Sequence, residues 1–452
     1  MVEKRDRIKT VFAVTLGCKL NYAETSSILE RFVKCGWRIA SKDEQPDVVV
    51  VHTCAVTGQA EQKSRQQIRR MIRTYPASRI VVIGCYAQLS PERIENIEGV
   101  DVILGSKGKF DIEKYSAAEE AGVFIDVAPV ASIASPVPAH SLIENREMGR
   151  SRAFLKIQDG CDYGCAYCAI PLARGRSLSI DPDVVLDGAR ALAGAGYCEI
   201  VLTGVNIAAY RFGELDFAGL LRLLDEVDVQ RIRVSSIEPD CLTDELIDVV
   251  ASSKRIMPHF HLPLQGGADA VLRSMGRRYT TAYYRDRLFE AVRRIPACAV
   301  GADVMTGYPG ETGEDFQSAY DFIASLPLAY LHIFTCSIRP GTALARQVQS
   351  GLRQPVAHDI VRFRSRLLHE LGERKKREFL ASFVGREVNV LIEERSCGEG
   401  SVLFCSGYTP HYIRVRIAIE GSLSTDSLIG RERRVKVLNV SGDLDLEGIF
   451  VT

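Results

Sequence analysis

The sequence lacks three features that would mark an exported or membrane-bound protein. Its N-terminus, MVEKRDRIKT, is charged and has no apolar signal region. No apolar run approaches the roughly eighteen residues that a membrane span requires. Its 13 cysteines are an odd number, which argues against a framework of paired disulfides in a secreted chain. We therefore predict a cytoplasmic protein with no membrane partner, whose thiols serve metal binding or packing.

An excess of charge of either sign is also absent. The 57 Lys and Arg residues balance the 57 Asp and Glu residues, so net charge alone does not indicate a nucleic-acid partner. Any basic surface must therefore be local. At 452 residues the chain is long enough for about three domains of ordinary size.

Strand-like apolar runs alternate with amphipathic segments in the first hundred residues, which predicts a parallel α/β domain over residues 8–118. The predicted strands cover residues 11–16, 48–52, 80–83 and 100–104. Cys18, Cys54 and Cys85 follow the first three of these strands. Because ligands bind at the carboxyl edge of a parallel sheet, we expect these thiols to form one site. Each could alternatively be a small buried residue.

The strand and helix alternation resumes after a proline-rich and alanine-rich stretch, which predicts a linker over residues 119–146. Between residues 147 and 378 the pattern favours an open barrel of six β/α units. Its predicted strands cover residues 154–158, 199–206, 232–238, 259–265, 300–305 and 330–335. Six units leave one side open to a large substrate, and functional residues are expected at the carboxyl ends of the strands.

A basic helix and a small β-domain end the chain. Seven Lys or Arg residues lie between Arg362 and Arg377, which indicates either a solvent-exposed helix face or an RNA contact. Residues 380–451 change to short alternating strands, which predicts a small antiparallel β-barrel. A local basic run there suits phosphate contacts, although strand alternation places only some of its members on one face: Arg431, Arg433, Arg434 and Lys436.

The most informative motif is the compact set Cys161, Cys165 and Cys168, spaced C-x3-C-x2-C in KIQDGCDYGCAYCAIPLARGRS. Zinc sites normally combine two pairs of ligands, so a lone triplet fits better an iron-sulfur cluster with one iron left open. Buried structural cysteines or half of a zinc knuckle are the plainer alternatives. The methionine amine and carboxylate of S-adenosylmethionine can chelate an open iron, and iron-sulfur potentials reach roughly −700 mV, low enough to reduce S-adenosylmethionine.

With Tyr167 just before the third cysteine, this motif resembles the C-x3-C-x-aromatic-C signature of the radical S-adenosylmethionine enzymes. The resemblance implies that the compact triplet holds a 4Fe-4S cluster that cleaves S-adenosylmethionine. It also implies contacts with that cofactor at the strand ends, from Thr203, Gly204 and Asn206 at the methionine amine, Gln265 near the nucleoside, and Thr306, Gly307 and Tyr308 at the adenine. Two interpretations stay open for the segment that contains Ser235, Ser236 and Glu238. These residues either contact the cofactor as well or form a turn with a cap at Asp240.

Two cysteine triplets followed by a β-barrel resemble the methylthiotransferases over essentially the whole chain. The resemblance implies that Cys18, Cys54 and Cys85 hold a second 4Fe-4S cluster, which carries the sulfur to be transferred. S-adenosylmethionine would be both radical source and methyl donor. The C-terminal barrel would be a TRAM domain, an RNA-binding module of OB-like character. The implied partners are the anticodon stem-loop of tRNA, an electron donor such as flavodoxin or ferredoxin, and a sulfur source.

The context of Cys18 separates the branches of this family. The isopentenyladenosine branch resembles YGCQMN-x-x-D and the ribosomal-protein aspartate branch LGCPKN-x-x-D, whereas this chain reads TLGCKLNYAET, with Lys19 and with Glu24-Thr25 in place of Asp-Ser. Together with MGRRYT at 275–280, this resembles the branch that modifies carbon 2 of N6-threonylcarbamoyladenosine at position 37 of tRNA. The alternatives are the other two substrates or, from another class, a non-catalytic iron-sulfur RNA-binding protein.

The remaining metal-ligand residue types are expected to be structural. His259 and His261 share one face of a strand and are predicted to be cleft histidines without a metal. The seven cysteines outside the two triplets are predicted mostly to pack as small hydrophobic residues. They are Cys35, Cys198, Cys241, Cys298, Cys336, Cys397 and Cys405. Of these, only Cys336 could face the site. Two departures from the family pattern, Gly266 for Ser and Thr335-Cys336 for Pro-Tyr, concern the pocket alone.

Overall fold

A computed structural model of the protein describes residues 7–116, 122–141, 151–397, 403–419 and 428–451. In chain order it contains a parallel α/β unit, an arc of parallel strands with helices, and a closed five-stranded β-barrel. This architecture confirms the predicted fold class. Within the described part of the chain, every helix is too short or too polar to cross a membrane.

The N-terminal unit is a six-stranded sheet in which every pair of neighbours is parallel. Its strands are β1 Thr10–Thr15, β2 Arg38–Ile39, β3 Val48–Thr53, β4 Arg79–Gly84, β5 Val102–Leu104 and β6 Phe124–Asp126, in the order β2-β1-β3-β4-β5-β6. Its helices are α1 Lys19–Lys34, α2 Gly58–Thr74, α3 Cys85–Leu89 and α4 Pro91–Glu95. The central strands β3 and β4 are runs of valine and isoleucine that are almost wholly buried, as expected for a parallel sheet covered on both faces.

All four strands predicted in this unit are present, and two short edge strands were missed. β2 has only two residues. β6 pairs with β5, although it lies within the stretch predicted as a linker. Neither segment has the apolar run that marks the central strands, so no local pattern predicts these two strands. The domain limits themselves stay a prediction.

The central unit contains all six predicted barrel strands. The strands after β6 are β7 Arg152–Lys156, β8 Gln158–Asp159, β9 Leu178–Ser179, β10 Glu199–Thr203, β11 Arg211–Phe212, β12 Leu215–Asp216, β13 Arg231–Val234, β14 His259–His261, β15 Ala299–Thr306 and β16 Tyr330–Thr335. β7, β10 and β13 form one parallel sheet, and β14, β15 and β16 form another. A parallel bridge between Ser236 and His261 joins the two sheets. The result is a six-stranded arc with β7 and β16 at its edges.

Helices alternate with these strands along the chain. They are α5 Ile170–Arg174, α6 Pro182–Gly194, α7 Phe217–Asp225, α8 Asp244–Ser252, α9 Asp269–Met275, α10 Thr281–Arg294, α11 Gly313–Ser325, α12 Ala343–Gln349 and α13 His358–Ala381. At the β16 edge of the arc, α13 packs against β16. At the opposite edge, α1 of the N-terminal unit packs against β7. The N-terminal unit therefore lies along one side of the opening.

Helix α13 is the basic helix of the sequence, and its cations serve two purposes. Arg364 is buried and pairs with Glu311 at 2.6 Å, and Lys375 is buried and donates to the carbonyl of Leu326 at 2.6 Å. Four others are exposed to solvent: Arg362, Arg366, Arg374 and Arg377. The helix is therefore partly a structural element and partly a solvated basic face.

The C-terminal unit is a closed β-barrel, as predicted. Its strands are β17 Glu387–Cys397, β18 Leu403–Tyr408, β19 Arg414–Ala418, β20 Glu432–Val440 and β21 Leu446–Phe450, in the order β17-β18-β19-β21-β20. Four of the five pairs are antiparallel, and the β19–β21 pair is parallel. Leu380 and Phe383, at the end of α13, complete the barrel core.

Two buried arginines of β13 hold this barrel against the arc. Arg231 donates to the carbonyl of Tyr408 at 2.8 Å, and Arg233 donates to the carbonyl of Pro410 at 3.0 Å. Arg233 is also paired twice with Glu199, at 2.7 and 2.9 Å. Because buried donors are costly to leave unpaired, these bonds fix the barrel at the amino-terminal ends of the arc strands.

Candidate active site

The compact cysteine triplet lies in a loop that returns on itself. The loop turns at Gly160, where φ is +68° and an added Cβ would lie 1.8 Å from the carbonyl oxygen of Arg176. Only glycine fits such a close approach. The Cys161 amide then donates to the Gly175 carbonyl at 3.1 Å, which closes the loop around the three thiols.

A cavity of about 420 Å³ lies at the carboxyl ends of the arc strands. Seven predicted site residues line it: Cys161, Cys165, Tyr167, Cys168, Asn206, Glu238 and Gln265. Ser236 lines it as well. Val56 and Thr57, two and three residues after Cys54, complete the wall. The N-terminal unit therefore closes the cavity that contains the compact triplet.

Five predicted cofactor contacts are not among the residues that line this cavity: Thr203, Gly204, Thr306, Gly307 and Tyr308. Thr203 and Thr306 are the buried last residues of β10 and β15. Tyr308 is buried and donates its hydroxyl to the carbonyl of Ser274 at 3.0 Å. In this structure these residues support the strand ends, and their contact with S-adenosylmethionine stays a prediction.

The alternative of a helix cap at Asp240 is wrong. Thr243 caps α8, because its side chain accepts from the amide of Leu246. Asp240 instead accepts the hydroxyl of Tyr163 at 2.6 Å, and Tyr163 lines the cavity.

Arg277 is the main cavity residue that the sequence reading missed. Its Nη1 donates to Cys165 Sγ at 3.2 Å, and its guanidinium pairs with Glu238. Although burial opposes its charge, Tyr279 and Glu238 raise the pKa of Arg277, so it stays a cation. Burial raises the pKa of Glu238 despite this partner. Arg277 lies in the motif MGRRYT, which in the sequence serves only to indicate the threonylcarbamoyladenosine branch.

Asp303 is a second missed residue, which lines the cavity and contacts two histidines. His261 Nε2 lies 2.9 Å from its carboxylate and His332 Nδ1 lies 3.4 Å away. Although burial opposes ionisation, these hydrogen bonds lower the pKa of Asp303. Among the described residues, this is the one trio of His, Cys or carboxylate ligand atoms within 4.8 Å of one another. His259 instead contacts the Tyr330 hydroxyl at 2.8 Å. That His259 and His261 bind no metal stays a prediction.

The scattered triplet converges at the carboxyl edge of the N-terminal sheet. Cys54 follows β3, Cys85 begins α3, and Cys18 precedes α1. Burial, with the neighbouring Cys85 and Cys18 thiols, raises the pKa of Cys54 to about 12. Gly17 has φ of +101°, and an added Cβ would lie 2.8 Å from the Cβ of Cys54. The three cysteines are therefore neighbours, and the backbone is fitted closely around them.

Neither triplet is compact enough for a single zinc ion. A tetrahedral site with Zn–S bonds of about 2.3 Å places its sulfur atoms about 3.8 Å apart. In the part of the chain that the structure describes, neither triplet has its three sulfur atoms within 4.8 Å of one another. Wider spacing suits a cluster in which each thiolate binds a different iron.

Unpartnered polar atoms indicate that the cavity accommodates a polar ligand. Both side-chain polar atoms of Asn206 and the Oε1 of Gln265 are buried and have no hydrogen-bond partner among the described residues. Buried polar groups normally have partners. Gln265 also has φ of +65°, and such backbone strain is typical of functional sites. The amine, carboxylate and ribose of S-adenosylmethionine are groups that would satisfy these atoms.

A buried ion network connects the two triplets. Glu24 of α1 is fully buried and accepts from Lys109 at 2.6 Å, Lys156 at 2.9 Å and Arg174 at 3.0 Å. Although burial opposes ionisation, Arg174 and the two lysines lower the pKa of Glu24. Arg174, six residues after Cys168, also donates to Asn21 at 2.8 Å. Asn21 lies three residues after Cys18, so one network spans both cysteine loops.

The other cysteines follow the prediction only in part. Cys336 is not among the residues that line the cavity, and it packs against a hydrophobic cluster that includes Met305 and Tyr308. Cys298 and Cys405 are buried as predicted. The prediction is wrong for Cys35, which is exposed because it ends α1 at the surface. The side chain of Cys397 lies outside the described residues.

Comparison with known proteins defines the class first. Residues 155–323 match the Radical SAM superfamily, and residues 10–105 match a family described as Uncharacterized protein family UPF0004. The solved radical S-adenosylmethionine methyltransferase TsrM from Kitasatospora setae has a TM-score of 0.57 at 16% identity, covering 76% of this chain and 78% of TsrM. The arc, the cavity and the compact triplet define a radical S-adenosylmethionine enzyme.

Relatives that match along most of the chain narrow this class. The threonylcarbamoyladenosine tRNA methylthiotransferase MtaB of Bacillus subtilis is 36% identical over 98% of this chain and 96% of its own length. The protein of the same name from Aquifex aeolicus is 32% identical over 84% of this chain and 92% of its own length. A tRNA-2-methylthio-N(6)-dimethylallyladenosine synthase of Endomicrobium trichonymphae is 28% identical over 89% of this chain and 96% of its own length. The chain belongs to the MtaB family of tRNA methylthiotransferases.

Proposed function

We propose that this protein adds a methylthio group to carbon 2 of N6-threonylcarbamoyladenosine at position 37 of tRNA. One observation carries the proposal: the loop after Cys54 forms a wall of the cavity that contains the compact triplet. The atom to be activated and the sulfur to be attached would thus be brought close together. The relative from Bacillus subtilis, similar over 98% of this chain, bears the name of this reaction.

Each triplet would hold one 4Fe-4S cluster, the compact one at Cys161, Cys165 and Cys168 and the scattered one at Cys18, Cys54 and Cys85. When bound, these clusters supply the electron that cleaves S-adenosylmethionine and the sulfur that is transferred, and S-adenosylmethionine also supplies the methyl group. The convergence of the cysteines and their neighbours in the chain support these proposed metal-binding roles.

The residues around the cavity would orient the reactants and exclude water. Asn206 and Gln265 offer unpartnered polar atoms to S-adenosylmethionine. Arg277 would fix both Cys165 and Glu238, because it contacts each of them. Val56 and Thr57 would shield the reacting atoms from solvent. Holding reactants in place inside a closed cavity is the main contribution a protein makes when cofactors carry the chemistry.

The C-terminal barrel would bind the anticodon stem-loop. On β20, Arg434 and Lys436 are exposed and share the outer face, whereas Val435 and Val437 point into the core. Exposed cations on a small barrel suit contacts with RNA phosphates. The reaction also requires an electron donor such as flavodoxin or ferredoxin and a source of sulfur. We place it in the cytoplasm, with its tRNA substrate.

Mass spectrometry of digested nucleosides tests the proposal. Reconstituted protein is incubated anaerobically with RNA carrying threonylcarbamoyladenosine and, separately, isopentenyladenosine. We expect a methylthio mass gain on the first RNA alone. Gain on the second alone would reassign the branch. Gain on neither, with S-adenosylmethionine still cleaved, would move the substrate to a protein, and the absence of cleavage would support a non-catalytic iron-sulfur RNA-binding protein.

Two cysteine variants assign the triplets. Cys165→Ala should abolish formation of deoxyadenosine under reducing conditions. Cys54→Ala should retain that cleavage and lose the methylthio product. If Cys165→Ala still cleaves S-adenosylmethionine, the assignment of the compact triplet is wrong. If Cys54→Ala still gives full product, the scattered triplet does not deliver the sulfur.

A further inference from the structure

Lys19 lies where the three units of the protein meet. It directly follows Cys18 and begins α1. Its Nζ lies 5.5 Å from the centre of the Tyr412 ring, in the loop between β18 and β19. The same ring contacts Arg233 at 4.9 Å and Arg152 at 5.5 Å. The Lys19 backbone therefore adjoins the scattered triplet through Cys18, and its ammonium group lies beside Tyr412 of the C-terminal barrel, a ring that arc residues also contact.

The cations around Tyr412 differ in whether they have an acidic partner. Arg233 is bound twice by Glu199, at 2.7 and 2.9 Å, and Arg152 is bound by Glu393 at 3.0 Å. Among the described residues, Lys19 has no carboxylate within the 4.0 Å that defines an ion pair and no hydrogen-bond acceptor for its ammonium. Three cations thus share two carboxylates, and one positive charge remains.

An unpaired cation in a partly desolvated position is costly, and an anion that enters the site relieves that cost. Lys19 is only partly exposed, so bulk water does not fully hydrate it. An anion placed beside the Lys19 ammonium would therefore be stabilised there.

The substrate of the proposed reaction carries such an anion. The threonyl part of threonylcarbamoyladenosine ends in a carboxylate, whereas the dimethylallyl group of the nucleoside named for the Endomicrobium trichonymphae relative is apolar. Carbon 2 and the carbon that bears N6 belong to the same six-membered ring. When carbon 2 faces the sulfur held near Cys18, the substituent on N6 lies within the same small region.

We propose that Lys19 binds the threonyl carboxylate of the substrate and thereby selects it over nucleosides with an apolar N6 substituent. This inference rests on the proposed function. Lys19 is a specificity-determining residue and has no part in cleaving S-adenosylmethionine. The paired arginines beside it would not serve in its place, because their own carboxylates already neutralise them.

A neutral isostere of the substrate isolates this contact. Anticodon stem-loops are prepared with threonylcarbamoyladenosine and with its methyl ester, which differs only in the charge of the carboxylate. Their dissociation constants for the reconstituted enzyme are measured anaerobically by fluorescence anisotropy. A charge-assisted hydrogen bond corresponds to a preference for the acid over the ester of about 10- to 100-fold in the wild type.

Substitutions of Lys19 should remove that preference selectively. We expect Lys19→Met and Lys19→Gln to bind acid and ester alike, and Lys19→Arg to keep most of the preference. The variants are compared at matched iron content, because residue 19 is next to Cys18. Lys34→Met is the matched control, since it removes a lysine from the last turn of the same helix and should preserve the wild-type ratio.

The outcomes separate this inference from the function on which it rests. If Lys19→Met keeps the wild-type preference for the acid, or weakens acid and ester binding equally, the inference is overturned. Steady-state kinetics give a second readout, because KM for the acid should rise in Lys19→Met while KM for the ester stays unchanged. If the wild type makes no methylthio product from either RNA, the proposed function fails, whatever the binding ratio.

Discussion

The substitution Glu24→Gln tests whether the buried ion network holds α1 against the arc. Glu24 offers two oxygens to three buried cations, Lys109, Lys156 and Arg174. Glutamine has the same shape, but it keeps one acceptor oxygen and turns an amide toward the other cations. Lys156 and Arg174 retain Asp159, at 2.6 and 3.0 Å. Breaking a buried pair costs about 3–5 kcal/mol, and these remaining contacts favour the lower value.

Hydrogen exchange measures this loss without requiring the whole chain to unfold in one step. A loss of about 3 kcal/mol accelerates exchange of the α1 amides roughly 100-fold, because each 1.4 kcal/mol is a factor of ten. Glu24→Asp is the matched control, since it keeps the charge with a shorter reach, and it should lose less. Unchanged exchange in α1 of Glu24→Gln, with protection elsewhere also unchanged, would refute the reasoning.

The network also predicts the direction of a pH effect. Arg174 and the lysines hold the pKa of Glu24 below its usual value, against the effect of burial. The network therefore stabilises α1 fully above the unfolded pKa of about 4.3. The stabilisation is lost progressively as pH falls from there through the folded pKa. The difference in α1 amide exchange between wild type and Glu24→Gln should accordingly become smaller in acid. A difference that becomes larger in acid would contradict this account of the network.

Three further predictions concern the two triplets and the RNA. Arg277→Met removes the donor to Cys165 Sγ; it should slow deoxyadenosine formation about 10- to 100-fold, with partial recovery in Arg277→Lys, and an unchanged rate would exclude a role for this bond. Gly17→Ala should lower bound iron by about half, because the added Cβ would clash with Cys54 and disturb one of the two clusters. Gly36→Ala, where an added Cβ meets nothing within 4 Å, should keep its iron. Equal iron in both variants would show that the contact between Gly17 and Cys54 does not matter for cluster binding. Lys436→Ala should weaken binding to all RNA sequences alike and reduce the salt slope by about 1, and an unchanged slope would remove Lys436 from the RNA contact.

Elements with a local periodic pattern could be predicted from the sequence. The six arc strands and the central strands of the first sheet are apolar runs of strand length, and the compact triplet is fixed by spacing within eight residues. The segments of β18 and β21, LFCSGY and LEGIF, show no such pattern because they are short and contain glycine and polar residues. Their pairing within a closed barrel decides their conformation, and local propensity does not show it.

Side-chain groups assembled from distant segments could not be predicted. Arg277 reaches Cys165 across 112 residues of sequence, and Asp303 meets His261 and His332 only because three parallel strands are adjacent. The resemblance places Thr306 and Tyr308 at the adenine of S-adenosylmethionine, and that contact stays a prediction; a strand end fixes the position of the backbone and leaves the side-chain direction open. Tertiary geometry, which a single sequence does not encode locally, decided each case.

The bonds that attach the C-terminal barrel have a consequence for its evolution. Arg231 and Arg233 donate to main-chain carbonyls of residues 408 and 410, and every amino acid possesses such a carbonyl. These two bonds therefore depend on the path of that loop and not on its side chains, whereas Glu393 and Glu432 of the barrel bind Arg152 and Arg231 through their carboxylates. Substitutions on the outer surface of the barrel, where RNA binding is proposed, should leave these bonds intact. Barrels exchanged between relatives should therefore remain docked when they keep the path of this loop and the two carboxylates.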